Sequence, residues 1–162
     1  MDLILLRHAE KTLSPDRNPG LTTRGREQAI ALISEMQKKR WPKPQRLYAS
    51  PKARTQQTLQ PLSDKLGLKV EILEDLDERR FDESASHFRA RIARTIEALS
   101  HSELGTGCVL LCSHLDWIEE FRGVIDSEQN LLAPPYDQWS TAQYMILHGD
   151  DLWKVTAFGR AL

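Results

Sequence analysis

The chain has 162 residues, of which 40% are apolar and 28% charged, and its formal net charge is -1. That length suits a single domain, residues 1–162, with a core of its own, and the balanced charge gives neither nucleic acid nor an anionic membrane surface a footing. No apolar run is long enough to span a bilayer and the N-terminus lacks the basic-then-apolar pattern of an export signal, so the expectation is a cytoplasmic protein with no membrane among its partners.

Leu3-Ile4-Leu5-Leu6 is a short apolar run that ends in Arg7-His8-Ala9-Glu10. Such a run reads as a strand buried on both faces, and a parallel α/β sheet carries its chemistry just beyond the carboxyl ends of such strands. Thr12 to Thr23, rich in Pro, Asp, Asn and Gly, reads as a loop over that edge. Thr22 or Thr23 then caps a helix with Ala29, Ile33 and Met36 at helical spacing, flanked by Ile30 and Leu32, and Trp41-Pro42-Lys43-Pro44 stops it. Arg46–Ala49 is a second strand. Ser50 is expected to cap a second helix with Pro51 in its first position; Leu59, Leu62 and Leu66 form its stripe and Gly67 ends it.

Val70–Leu73 is a third strand, followed by an acidic segment from Glu74 to Glu83. A third helix starts at Ser84 or Ser86 and lines up Phe88, Ile92, Ile96 and Leu99. Gly105-Thr106-Gly107 turns the chain into Cys108–Cys112, which repeats the opening arrangement: an apolar run ending in Ser113-His114-Leu115-Asp116. Leu115–Phe121 reads as a short helix and residues 126–139 as a loop. Strands near 141–147 and 152–157 form a hairpin about Gly149-Asp150-Asp151. Strand and helix alternate, which predicts an α/β three-layer sandwich with a mostly parallel central sheet. Cys108 and Cys112 fall on one face of one strand and read as small buried apolar groups rather than a disulfide; with no C-x-x-C pair, a structural zinc site of that type is not expected.

Arg7, His8, Arg54, the acidic segment and His114 all lie at strand ends or helix starts. Arg54 falls in the first turn of the second helix, where free N–H groups and the helix dipole favour an anion. Two arginines can grip the oxygens of one phosphate, a histidine can attack its phosphorus, a second histidine can bond its oxygens, and a carboxyl can protonate the leaving oxygen and then activate water. This set needs neither metal nor cofactor, because arginine and histidine supply the positive charge.

These residues carry a resemblance to the histidine phosphatase, or phosphoglycerate mutase-like, superfamily. Its signatures occur in order: Leu5-Leu6-Arg7-His8-Ala9-Glu10; Leu21-Thr22-Thr23-Arg24-Gly25-Arg26-Glu27-Gln28-Ala29; Ser50-Pro51-Lys52-Ala53-Arg54-Thr55-Gln56-Gln57-Thr58; Leu76-Asp77-Glu78; and Ser113-His114. The resemblance implies a phosphoglycerate mutase-like fold and a phosphatase that acts through a phosphohistidine on His8. It implies Arg7, Arg54 and His114 as the phosphate pocket, with the Leu115 N–H facing it, and Glu78 as general acid and base. Asn18 and Thr12 are candidates for the rim, and Asp77, Glu74 and Glu83 are competing acids. The family's aromatic-Gly pair after the acid is missing, since Arg79-Arg80-Phe81-Asp82 stands there. The span from Glu78 to His114 holds one helix, which resembles the short branch that includes phosphohistidine phosphatases; sugar-phosphate mutases insert a larger cap there. The implied partner is a phosphorylated small molecule or a phosphoprotein.

Two other readings are open to the sequence. His8-x-Glu10 and His114-x-Asp116 have the spacing of metal-ligand pairs, against which Arg7 and Arg54 would repel a cation. A catalytically silent phosphate-binding module would keep the same pocket. His87, His101 and His148 read as surface residues. Trp41, Trp117, Trp139 and Trp153 read as packing groups, with Trp139 and Tyr136 on a loop able to reach the pocket rim.

Overall fold

The computed structural model describes all 162 residues. In chain order the elements are β1 (Asp2–Arg7), α1 (Thr23–Lys38), β2 (Arg46–Ala49), α2 (Ala53–Leu66), β3 (Val70–Ile72), a single 3-10 turn (Glu74–Leu76), α3 (Ala85–Ser100), β4 (Cys108–Ser113), α4 (Leu115–Val124), β5 (Asp126–Ser127), β6 (Gln143–Gly149) and β7 (Leu152–Arg160). The strands form one mixed sheet in the order β3-β2-β4-β1-β6-β7-β5. β3, β2, β4 and β1 run parallel to one another, and β6 joins β1 and β7 antiparallel.

The connections explain the layers. The chain moves outward from β1 through α1 to β2 and through α2 to β3, then returns through α3 to β4, which slots between β2 and β1. Right-handed crossovers place helices of the outward path on one face and those of the return on the other. Leu3, Leu5, Val109 and Leu111 accordingly pack with Phe88, Ile92, Trp117 and Phe121 of α3 and α4. Ile4, Leu6, Leu110 and Cys112 pack with Leu32, Leu59 and Leu62 of α1 and α2. β4 is buried along its whole length, as a strand covered by helices on both faces must be. Cys108 and Cys112 lie in the same cluster as free thiols, and burial raises both, Cys108 to about 12. No helix is long and apolar enough to cross a membrane.

Helix ends follow local chemistry, with one correction. Thr22 Oγ1 accepts from Gly25 N–H at 2.9 Å, Ser84 caps α3, and Gly67 stops α2 at φ 67°, a left-handed conformation that only glycine adopts freely. Ser50 is not the cap of α2, and Pro51 is not its first residue: the helix begins at Ala53, and Ser50 turns its hydroxyl inward instead. Two smaller differences fall at the end of the chain. Residues 126–127 pair with β7 as a short strand inside the expected loop, and the hairpin strands extend to Gly149 and Arg160.

Candidate active site

Strand register assembles the site. β1 and β4 pair with Arg7 opposite Ser113, and β2 and β4 pair with Ala49 opposite Cys112. The residues just past these pairs, His8, Ser50 and His114, therefore emerge together at the carboxyl edge. His8 N–H donates to Ser113 O at 3.1 Å, which extends the ladder by one bond. The two imidazoles stand 5.4 Å apart between centroids, tilted by 60°. His8, His114 and Arg54 are each at least 95% buried.

The loop after β1 is held by polar residues of α1 and α2. Gly25 lies against Glu10, where a Cβ would collide with the Glu10 carbonyl oxygen. Gln28, fully buried, accepts from Glu10 N–H at 2.9 Å, and Thr58 Oγ1 accepts from Ala9 N–H at 2.9 Å while donating to Arg54 O at 2.7 Å. These contacts give a physical reason for the Gly25, Gln28 and Thr58 positions of the two motifs: they fix the backbone of Ala9 and Glu10, just after His8.

Geometry fixes the tautomer of His8. Its Nδ1 lies 2.7 Å from Ala9 O. A carbonyl only accepts, so Nδ1 carries the proton and Nε2 is left with its lone pair. Burial, opposed by that bond and assisted by Arg54, Arg7 and Lys11, lowers the His8 pKa to about 4, so the ring is neutral at pH 7. Arg7 donates from Nη1 to Trp139 O at 2.8 Å, and its Nε is buried without a partner. Burial also lowers the Arg7 pKa.

Among the candidate acids, Glu78 is the one that joins the pocket. Its Oε2 accepts from Arg54 Nη2 at 2.9 Å, and half its side chain faces solvent. Asp77 turns away to accept its neighbour's N–H and faces Lys52 at 3.7 Å; Glu83 is taken up by Arg91; and Glu74 contributes its carbonyl to Arg80. Arg91, which the sequence reading passed over, also binds the carbonyls of Asp75, Asp77 and Glu78.

His114 Nε2 meets Ser50 Oγ at 2.8 Å, and its Nδ1 is buried without a partner. Burial first, then Arg54, His8, Lys52 and Arg7, push the His114 pKa to about 2, so this ring is neutral too. Leu115 opens α4, where its N–H has no intrahelical partner. Asn18 reaches the start of α2, its Oδ1 accepting from Ala53 N–H at 2.8 Å beside Arg54. Thr12 bonds through its backbone to Gly20. Trp139 contributes its carbonyl to Arg7, and Tyr136 packs on Phe158. His87, His101 and His148 are exposed.

The spacing that suggested metal ligands does not converge. Glu10 accepts from the Thr22 hydroxyl and faces Arg24, and Asp116 accepts from the N–H groups of Arg79 and Trp117. No set of three or more His, Cys, Asp or Glu side chains is gathered to hold a metal ion.

The profile of the Histidine phosphatase superfamily (branch 1) matches residues 3–83, half of the chain. No curated protein sequence matches. Among solved structures, the protein histidine phosphatase SixA complexed with tungstate superposes with a TM-score of 0.77 at 20% identity, over 99% of this chain and 97% of that one. A mycobacterial glucosyl-3-phosphoglycerate phosphatase gives 0.74 at 17% identity, over 98% of each chain. A phosphoserine phosphatase mutant from Entamoeba histolytica, in complex with phosphoserine, gives 0.70 at 16% identity, over 97% of this chain and 95% of that one. At these identities the likeness is one of fold.

Proposed function

The chain belongs to the histidine phosphatase superfamily, and from the chemistry of its site we propose that it is a metal-independent phosphatase that works through a phosphohistidine on His8. One observation carries this reading. Only six buried side-chain polar atoms in the molecule lack a partner, and three of them are Arg7 Nε, Arg54 Nε and His114 Nδ1. Unpaired buried groups are expensive, so three at one place argue for a ligand that pairs with them. With two guanidinium groups among them, the fitting ligand is an oxyanion with several oxygens, such as phosphate.

Phosphate entry would draw Arg54 from Glu78 onto the phosphate oxygens. His8 Nε2 then attacks phosphorus as the bond to the leaving group breaks, and Glu78 supplies the proton that the leaving group takes. The Nδ1–H bond to Ala9 O steadies the charge on the phosphorylated ring. In the second half, Glu78 takes a proton from water, the water oxygen attacks phosphorus, and the P–N bond breaks to restore the His8 lone pair. Arg7, Arg54, His114 and the Leu115 N–H hold the equatorial oxygens throughout.

The substrate we propose is a phosphomonoester or a phosphohistidine on a protein. Two features support an open site. α3 is the only helix between Glu78 and His114, and the loop beyond Glu78 carries Phe81 fully into solvent. Water access of this kind suits hydrolysis and works against a mutase, which must shield its phosphoenzyme. The test is rapid-quench labelling with a radiolabelled aryl phosphate, with and without chelator, comparing the intact protein with His8→Ala. The expected result is an acid-labile, base-stable label that His8→Ala loses and chelator leaves alone. Turnover that chelator abolishes overturns the reading, and so does undiminished turnover in His8→Ala.

A further inference from the structure

The protons around His114 can be placed one by one. Its Nε2 lies 2.8 Å from Ser50 Oγ, which lies 2.8 Å from Thr55 Oγ1 and accepts from Lys52 N–H at 3.2 Å. Ser50, Thr55 and His114 are all buried, so these groups satisfy one another. Thr55 Oγ1 lies 2.9 Å from Lys52 O and 3.1 Å from Ser50 O. Carbonyls only accept, so the Thr55 hydroxyl donates to them and keeps its lone pairs for Ser50. Ser50 then donates to Thr55, and its own oxygen accepts from Lys52 N–H and from His114 Nε2–H. Both hydroxyl protons and both Ser50 lone pairs are thereby used.

A neutral His114 therefore carries its proton on Nε2 and a bare lone pair on Nδ1. That nitrogen is the atom buried without a partner, and it makes no capping bond to the N–H groups of α4. A lone pair and a phosphate oxygen both accept, so they meet only with a proton between them. Nothing in the empty site holds such a proton. Burial first, then Arg54, His8, Lys52 and Arg7, keep the ring neutral, and none of these groups is negative. Lys11 adds its charge beside His8. The carboxylates of the surrounding elements are engaged elsewhere. Glu78 pairs with Arg54, Asp77 faces Lys52, and Glu10 faces Arg24. On α4, Asp116 accepts from the N–H groups of Arg79 and Trp117, and Glu119 acts on Arg7. An entering oxyanion brings the negative charge that the ring lacks.

We propose that His114 takes up one proton on Nδ1 as the oxyanion enters, so that phosphate is held by an imidazolium, and that the proton leaves again with the phosphate. The Nδ1 lone pair forms the new N–H bond, the proton comes from solvent or from the ligand's own hydroxyl, and no other covalent bond changes. The inference rests on the proposed phosphate site and adds the charge state in which that site is filled. Ser50 and Thr55 are positioning residues: by fixing the Nε2 proton they leave Nδ1 as the one ring atom that can gain another. A cation made only on binding spares the empty pocket a third positive charge beside Arg7 and Arg54.

Sulfate is the probe, because it matches phosphate in shape and brings no proton of its own near neutral pH. Calorimetric titration of the full chain at about pH 6, in buffers of different ionisation enthalpy, should show close to one proton taken up per sulfate bound. Affinity should rise about tenfold for each unit by which the pH is lowered around that value. Uptake should persist in His8→Ala and vanish in His114→Gln, whose affinity should no longer follow pH. Long-range 1H–15N correlation of the histidine rings locates the proton. His114 should be protonated on Nε2 alone in the free protein and on both nitrogens in the sulfate complex. Sulfate bound without uptake, uptake onto His8 Nε2 instead, or a free His114 protonated on Nδ1 each overturns the inference and leaves the oxyanion pocket standing. The unsubstituted protein decides all three, whether or not the variants fold. A protein that binds neither sulfate nor inorganic phosphate overturns the pocket and the inference together.

Discussion

Arg91 and Glu83 meet in a two-point ion pair, Nη2 to Oε1 at 2.7 Å and Nε to Oε2 at 2.8 Å, with the arginine side chain 2% exposed. Its other donors go to the carbonyls of Asp75, Asp77 and Glu78, so all five N–H groups are used, and the segment on both sides of Glu78 is tied to α3. Removing one partner of a buried pair strands the other. Arg91→Met should therefore lower stability by about 3 kcal/mol in urea unfolding. It should also lower kcat more than it raises KM, because Glu78, the proposed acid, loses its placement while Arg7, Arg54 and His114 keep theirs. A kcat equal to that of the parent would detach Glu78 from this clamp.

Glu78→Gln keeps a partner for Arg54 but removes the proton. Leaving groups that need protonation should suffer most: alkyl phosphates by about a hundredfold and nitrophenyl phosphate by much less. Equal slowing of both substrates would turn attention to Asp77.

Arg54→Ala removes the guanidinium that faces Glu78 and the incoming anion. Competitive inhibition by inorganic phosphate should weaken at least about tenfold, the scale of one charge-assisted bond. Inhibition that is unchanged would take Arg54 out of the pocket.

Acid should act in two windows. On folding the His8 pKa falls from 6.5 to about 4 and that of His114 to about 2, so the unfolded chain binds both protons more readily, and stability declines as pH drops below about 6.5. Glu83 is held at about 2 against an ordinary 4.5 by its hydrogen bonds to Arg91; its contribution is full above 4.5 and fades as pH falls toward 2. Urea midpoints measured against pH should show both slopes, and His8→Asn should make the upper one shallower, leaving the share that belongs to His114. In the range where the protein stays folded, kcat/KM should not lose its nucleophile until pH nears 4.

The strands that carry the chemistry are legible because burial on both faces leaves a simple trace: an uninterrupted apolar run, then charge. Arg7, His8 and His114 announce themselves by following such runs, and Arg54 by its place after Ser50-Pro51. Other residues give no local sign. Ser50 has the composition of a cap, and only the neighbouring strand shows that its hydroxyl meets His114 instead. Arg91 sits on an amphipathic helix whose charges read as solvent-facing, and its burial depends on carbonyls thirteen or more residues away. Gln28 and Thr58 are polar residues on buried helix faces whose partners, Glu10 and Ala9, lie in another element. A pattern of hydrophobicity records what water avoids; it holds no record of which distant backbone group a polar side chain will satisfy.

The pairing of Arg7 with Ser113 bears on how such a protein can diversify. His8 and His114 are each the next residue after that pair, so the distance between them is inherited from the spacing of adjacent strands, about 4.8 Å. Nothing in the loops sets it. The segments around Asn18 and Phe81 can thus be lengthened, shortened or exchanged by recombination without re-tuning the reacting atoms, provided that Gly25, Gln28 and Thr58 keep the β1 loop in place. In laboratory evolution, new substrates should come from libraries confined to those two segments, with the sheet left as an invariant chassis.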